Sequence, residues 1–161
     1  MSKKYPITVS SWTLGDQCSF EERVKAAKEA GFEGIGLRAE TYVDALNEGL
    51  FDADILAILE KYDMKATVSI VGAYTDAACE EAEPDPAYSY LDWQDVSVLR
   101  DSGHVEICNH SYDMHNLEGR RGVGQLDGES YEDYRKVFLN DTTKLQTLCD
   151  EHCGFQPNVY T

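Results

Sequence analysis

The chain has 161 residues, 42% of them hydrophobic, and carries 14 Lys and Arg against 30 Asp and Glu, a formal net charge of −16 at pH 7. This length suits one domain, and the negative charge argues against nucleic-acid partners and against docking on anionic membranes. No apolar run approaches the ~20 residues of a membrane span. The N-terminus lacks an apolar signal core, and the five cysteines are scattered without a Cys-x-x-Cys pair. We therefore expect a cytoplasmic protein with reduced thiols.

The first half of the chain predicts two strands, each followed by helix. Ser19 and Glu22 have the spacing of a capping box, which predicts a helix that ends near Ala30. Two glycines in the second strand allow a close approach or a tight bend. The elements expected here are a strand over 5–11, a loop over 12–15, the capped helix, a strand over 32–38, a loop or short helix over 39–46, and a helix with Asp52 as its N-cap.

The second half continues the alternation. The elements expected are a strand over 65–71, an exposed loop over 73–90 around an acidic, proline-bearing stretch, a helix from Asp92 to Gly103, a strand from Val105, a mobile glycine-rich loop over 119–128, a long helix from Ser130 to His152 closed by Gly154, and a last strand over 158–161.

Five strands with helices between them indicate parallel βαβ units in a single α/β domain. An eight-fold barrel normally needs ~250 residues. The sequence therefore predicts a partial (β/α) barrel of about five units, TIM-barrel-like, or an open flavodoxin-like sheet. A partial barrel leaves two sheet edges and one apolar face incompletely covered, which favours a homodimer. The alternative is a compact monomer with helices on both faces.

Two histidines follow the strand that begins at Val105. His110 and His115 stand just past its C-terminal end, and in α/β folds ligands gather at that edge. Imidazole is a preferred ligand of zinc-like metals, and its unperturbed pKa of ~6.5 leaves it mostly neutral at pH 7. The pair predicts a divalent metal site, and the alternative is a polar loop whose histidines are merely solvated.

The same segment, Gly103–His115, resembles the metal-binding segment of the polysaccharide deacetylase family, and so do Met64–Val68, Tyr90–Trp93 and the helix through Tyr134. The resemblance covers residues 62–161. It implies a metal-dependent carbohydrate N-deacetylase with a carbohydrate or amino-sugar substrate, in which His110 and His115 are two of three ligands to zinc or a similar metal.

The chain departs from that family at two places. The family carries paired aspartates, a general base and the third metal ligand, where this chain has Gly36–Glu40. The family's later Tyr-Pro-Tyr segment would follow Thr161. The resemblance therefore implies weak metal binding and little or no turnover. Glu40 lies where the pair would be, as a candidate base or ligand, and its alternative is a loop carboxylate paired with Arg38 or solvent.

Three further side chains have two interpretations each. Asp113 lies within the histidine segment, where an aspartate caps a turn more often than it binds metal. Trp93 and Tyr90 have the chemistry of a sugar-stacking platform, and the alternative is that they are core contacts at the start of a helix.

The beginning of the chain resembles another family. Ser10–Asp16, Phe20–Phe32 and Gly34–Asp44 are similar to the opening of sugar-phosphate isomerases and epimerases, which are xylose-isomerase-like barrels. This resemblance covers residues 5–65 and includes none of that family's later ligands. We therefore interpret the chain as a chimera of an isomerase-like part, 1–64, and a deacetylase-like part, 65–161. The functional alternatives are a deacetylase-like enzyme, an isomerase-like enzyme and a catalytically inactive chimeric barrel.

Overall fold

The structure is a computed structural model that describes residues 6–15, 17–81, 90–115, 119–120 and 122–161. Its sheet has four strands in the order β1-β2-β3-β4, and β2 pairs in parallel with both β1 and β3. The strands are β1 Thr8–Ser10, β2 Gly34–Leu37, β3 Lys65–Ile70 and β4 Val105–Asn109. Where a fifth strand was expected, Tyr160 forms an isolated parallel bridge to Asn109. The predicted parallel α/β architecture is therefore confirmed, with four strands and one bridge among the described residues.

Helices connect the strands. They are a 3-10 helix Ser11–Leu14 and the α-helices α1 Phe20–Glu29, α2 Ala39–Asn47, α3 Asp52–Lys61, α4 Gly72–Ala78, α5 Trp93–Asp101 and α6 Tyr131–Cys153. The predicted capping box is confirmed: the Glu22 N–H donates to Ser19 Oγ, and the Ser19 N–H donates to the Glu22 carboxylate, at 3.2 and 2.9 Å. Gly154 ends α6 with φ of 69°, a left-handed conformation that glycine adopts at little cost.

Asp52 was predicted to be the N-cap of α3, but it is the first residue of that helix. Phe51 precedes it as the N-cap, and the Phe51 N–H donates to the Asp54 carboxylate at 2.9 Å. The Asp54 carboxylate therefore satisfies the N–H group of Phe51, the residue that precedes the helix. The expected loop after β1 is a 3-10 helix, which a buried hydrogen bond of 2.7 Å between the Ser11 and Thr41 hydroxyls holds to α2.

Helix α4 lies within the stretch predicted to be an exposed loop. Its first two N–H groups, of Gly72 and Ala73, donate to the carbonyl oxygens of Ser111 and Tyr112 at 3.1 and 2.8 Å. Distant backbone acceptors thus satisfy donors that a free helix end would leave to water. Residues 82–89 of that predicted loop lie outside the described part of the chain. So do Tyr5 of the first predicted strand and Arg121 of the loop predicted to be mobile.

Two compact units divide the chain. The first comprises the described residues of 1–68 together with 99–106. Its core lies between α1, α2, α3 and the strands. The buried side chains are Phe20, Val24, Ala27, Ile35, Ala45, Ile55, Ile58, Leu59, Met64 and Ala66.

The second unit comprises the described residues of 69–98 and 107–161. Its buried hydrophobic side chains are Ile70, Trp93, Val96, Ile107, Cys108, Met114, Leu145, Cys149 and Cys153. All five cysteines are free, and burial raises the pKa of Cys149 to about 12, so that thiol is unreactive near neutral pH. No helix within the described ranges is both long and apolar enough to cross a membrane.

The close approach predicted for a glycine of β2 occurs at Gly34. A Cβ there would lie 2.8 Å from Thr8 Cγ2 and 3.0 Å from the Lys65 carbonyl oxygen, whereas a Cβ on Gly36 would meet its nearest neighbour, Thr67 Oγ1, at 3.3 Å. We expect Gly34→Ala to lower the free energy of unfolding by about 1–3 kcal/mol, because backbone on the neighbouring strand has to move. Gly36→Ala is the matched control with a smaller loss. Urea unfolding of both variants measures this, and equal losses would contradict it.

Candidate functional site

Residues 110–115, here called the histidine turn, follow β4 directly. The rings of His110 and His115 lie at its two ends, with centroids 5.2 Å apart and planes inclined at 47°. His110 is half-buried and His115 is exposed. The structure thus places the two predicted site residues side by side at the carboxyl end of β4.

A backbone oxygen fixes the orientation of the His110 ring. His110 Nδ1 lies 2.6 Å from the Thr161 oxygen, and since a carbonyl oxygen only accepts, Nδ1 carries the proton. In the neutral ring, Nε2 then keeps its lone pair. Thr161 is held in turn, because its N–H donates to the Asn109 oxygen at 3.0 Å and its hydroxyl to Ser69 Oγ at 2.7 Å. A ring N–H donated to a backbone carbonyl is the usual support of a metal-binding histidine.

Asp141 on α6 holds the backbone of the histidine turn. Its carboxylate accepts the N–H groups of Tyr112, Asp113 and Met114 at 2.7, 2.8 and 3.0 Å. Asp113 itself, for which a turn-capping role was predicted, gives its backbone N–H to this carboxylate. Asp141 lies 28 residues after Asp113 in the chain, so no local sequence pattern could have predicted its contact with the turn.

The direction of the turn changes at Ser111, a fully buried residue with φ of 88°. Residues other than glycine rarely adopt this left-handed region, so surrounding contacts have to hold it. The Ser111 N–H donates to Asn109 Oδ1 at 2.8 Å, and Ser111 Oγ accepts the His115 N–H at 3.3 Å. Asn109 in turn donates to the Thr142 carbonyl oxygen at 3.2 Å. A strained, fully bonded residue thus separates the two histidines.

Aromatic rings continue from His115 toward solvent. Tyr74 of α4 meets the His115 ring edge-on at 6.4 Å, and Tyr90 stacks on Tyr74 at 4.3 Å. Trp93 is buried and stacks on His152 at 4.8 Å. Trp93 is therefore a core contact, which was one of the two interpretations of this residue. Tyr90 is exposed and stacks on Tyr74.

The chemistry of the donor set suits a zinc-like ion only in part. Two imidazoles are suitable ligands, but a closed or catalytic zinc site uses three or four protein ligands. Within the described part of the chain, no group of three or more His, Cys, Asp and Glu side chains is placed to hold a metal ion. The site as described therefore offers a pair of ligands and no third.

Glu40, the other predicted site residue, lies in the first unit, on the first turn of α2. Its carboxylate contacts the Arg38 guanidinium at 3.4 Å, and this guanidinium lies 5.0 Å from the centre of the Trp12 ring. Both charged side chains are exposed. The contact of Glu40 in the structure is thus the ion pair with Arg38.

The loop after the histidine turn contains an ion pair that the sequence interpretation missed. Arg120 and Glu129, with side chains only 5% and 10% exposed, pair with each other, and Arg120 also donates to the Gly124 oxygen at 2.8 Å. Hydrogen bonding from Arg120 lowers the pKa of Glu129. The described residues of a loop predicted to be mobile are therefore tied together.

The chain is similar in sequence to one protein family. The sequence profile of the polysaccharide deacetylase family matches residues 41–159. No curated protein matches the chain.

Several solved structures share the fold at low sequence identity. The deacetylase domain of BpsB from Bordetella bronchiseptica has a TM-score of 0.54 at 16% identity, over 96% of this chain and 62% of that domain. IcaB from Ammonifex degensii has a TM-score of 0.54 at 14% identity, over 98% and 74%. A de-N-acetylase from Aggregatibacter actinomycetemcomitans has a TM-score of 0.52 at 16% identity, over 98% and 70%. The chain thus spans less than two thirds of the BpsB domain.

Replacing the Asp141 carboxylate tests its hold on the histidine turn. Asp141→Asn keeps the size of the side chain but leaves one oxygen to accept three N–H groups. We expect the free energy of unfolding to fall by about 1–3 kcal/mol, the usual loss when buried donors are left unsatisfied. Urea unfolding measures this, with Asp150→Asn on the exposed side of α6 as the matched control. An equal loss in the control would show that helix charge, and not the turn, is responsible.

Proposed function

The chain belongs to the polysaccharide deacetylase family, and we propose that it is a metal-dependent carbohydrate N-deacetylase-like protein with impaired turnover. Its substrate is an acetylated amino sugar that binds at the histidine turn. The observation that carries the proposal is the pair of imidazoles at the end of β4, 5.2 Å apart, one of them oriented by a backbone oxygen.

The contacts around the histidine turn support ligand binding by these residues. Thr161 leaves the His110 Nε2 lone pair available, and Asp141 fixes the turn that carries both rings. When bound, a divalent ion polarises the acetamide carbonyl group and lowers the pKa of a bound water. Two ligands would hold such an ion weakly compared with a closed site. The role of His110 and His115 in this proposal is therefore to bind the ion and to orient it toward the substrate carbonyl.

The missing pair of aspartates supports the proposal of impaired turnover. We propose Glu40 as the base because it follows β2, where the family carries that pair. Its ion pair with Arg38 competes with this role, since the carboxylate would have to leave the guanidinium to reach a water molecule at the histidine turn. The chain would thus bind its substrate better than it converts it.

Zinc titration tests the proposed ligands. We expect one weak site in the native chain, and we expect His110→Ala combined with His115→Ala to weaken it by at least about tenfold, because both ligands are removed. His152→Ala is the matched control, since His152 is exposed and stacks on Trp93. Calorimetry measures the affinity. If the double variant binds zinc as the native chain does, the proposed ligands are wrong.

Product analysis separates the three functional alternatives. Slow release of acetate from an N-acetylated oligosaccharide supports the deacetylase. Ketose–aldose interconversion of a sugar phosphate would support the isomerase. Absence of both in a folded protein would support the inactive chimera. We keep the chimera as a proposal for the first part of the chain, since the family match begins at residue 41 and leaves the preceding residues outside it. A cytoplasmic location also stays a proposal, which the free cysteines support.

Association of two copies is a further proposal. Two exposed apolar side chains support it. Ile7, directly before the edge strand β1, is 59% exposed, and Val159, directly before the bridge residue Tyr160, is 40% exposed.

Salt is the variable that tests the homodimer. We expect it to tighten as ionic strength rises, because salt screens the repulsion between two chains of net charge −16. Sedimentation at low and moderate salt measures this, and a single species of one-chain mass at every concentration would rule it out.

A further inference from the structure

Three rings, here called the aromatic strip, lead from solvent to the histidine turn. They belong to Tyr90, Tyr74 and His115, with centroids 4.3 Å apart at the first step and 6.4 Å at the second. Tyr90 is 58% exposed and Tyr74 is half-buried. The strip therefore begins with a tyrosine ring open to solvent and ends at one of the proposed metal ligands.

The backbone fixes Tyr74 relative to His115. Tyr74 lies in the first turn of α4, and the two residues before it donate to Ser111 and Tyr112 of the histidine turn at 3.1 and 2.8 Å. The start of α4 and the histidine turn are thus bonded to each other. These main-chain bonds bring the backbone segments that carry the two rings next to each other.

Asp76 of α4 joins Trp93, at the start of α5, to Tyr112 of the histidine turn. Its carboxylate accepts the Trp93 indole N–H at 2.9 Å and the Tyr112 hydroxyl at 3.0 Å. Tyr90 lies three residues before Trp93, so the segment that carries it is anchored to α4 by the same carboxylate. A tyrosine pair held by a buried indole and by the histidine turn loses little freedom when a ligand stacks on it.

We propose that the aromatic strip is a stacking subsite for a sugar ring of an N-acetylhexosamine chain, next to the sugar whose acetamide group reaches the histidine turn. The apolar C–H face of a pyranose ring packs on the flat Tyr90 ring, and neighbouring phenol hydroxyls bond its hydroxyl groups. This proposal rests on the proposed function for the position of the reacting sugar, but sugar binding by Tyr90 does not depend on turnover.

Charge decides which sugars fit. Carboxylates flank the strip on α4 and around the start of α5, and the chain as a whole has a net charge of −16. In the chain, Asp76 lies on α4, Glu80 two residues after that helix, Asp92 directly before α5 and Asp95 within the first turn of α5. They repel uronic acids and other anionic polymers, whereas a neutral N-acetylated chain is tolerated and a partly deacetylated, cationic chain is attracted. The subsite therefore selects neutral or cationic amino-sugar chains.

Titration with oligosaccharides tests this subsite. The probes are a tetramer of β-linked N-acetylglucosamine, its de-N-acetylated form and an oligogalacturonate of equal length, with affinity measured by calorimetry or NMR. We expect the first two to bind and the anionic one not to bind. Tyr90→Ala should weaken binding about tenfold, because the stacked ring is lost. Tyr90→Phe keeps the ring and should stay within about threefold of the native affinity.

Two controls separate this inference from the proposed function. Tyr131→Ala removes a tyrosine that is 66% exposed on α6 and should leave sugar binding unchanged. Zinc affinity of Tyr90→Ala should equal that of the native chain. Native affinity in Tyr90→Ala, an equal loss in Tyr131→Ala, equally tight binding of the anionic probe, or no binding of the neutral tetramer each overturns the subsite. Sugar binding that depends on Tyr90, in a chain that binds no zinc at the histidine turn, would overturn the proposed function alone.

Discussion

The Asp141 carboxylate is the contact on which the candidate site depends. It accepts three successive N–H groups of the histidine turn, which would otherwise be partly buried without an acceptor. The adjacent Ser111 has a left-handed conformation, which its bonds to Asn109 and to the His115 N–H hold in place. Helix α6 therefore supports the site through a side chain that binds the backbone between the two histidines.

Local signals made part of this structure predictable. The capping box at Ser19 and the glycine that ends α6 follow from contacts over a few residues, and both were predicted correctly. His110 and His115 were singled out because they follow a strand. Asp141 and Thr161 were missed, because their contacts with the turn join residues 29 and 51 positions apart. Helix α4 was missed for the same reason, since its first donors find their acceptors in that distant turn.

Binding and conversion place different demands on such a site. The backbone contacts that orient His110 and the rings that lead to His115 are present, whereas the carboxylate proposed as the base, Glu40, contacts Arg38. Catalysis needs groups that act on the transition state, and recognition of the sugar needs only the ground-state contacts. This combination of features is the reason for the proposal that the chain binds a sugar polymer better than it converts one.

The bonds between the start of α4 and the histidine turn have a kinetic consequence. They join segments that follow different strands, so they form only after β3 and β4 have been brought together and the intervening chain has been closed into a loop. Closing such a loop loses entropy before any contact compensates for it. We therefore expect the histidine turn to gain its arrangement only when β3 and β4 already lie side by side.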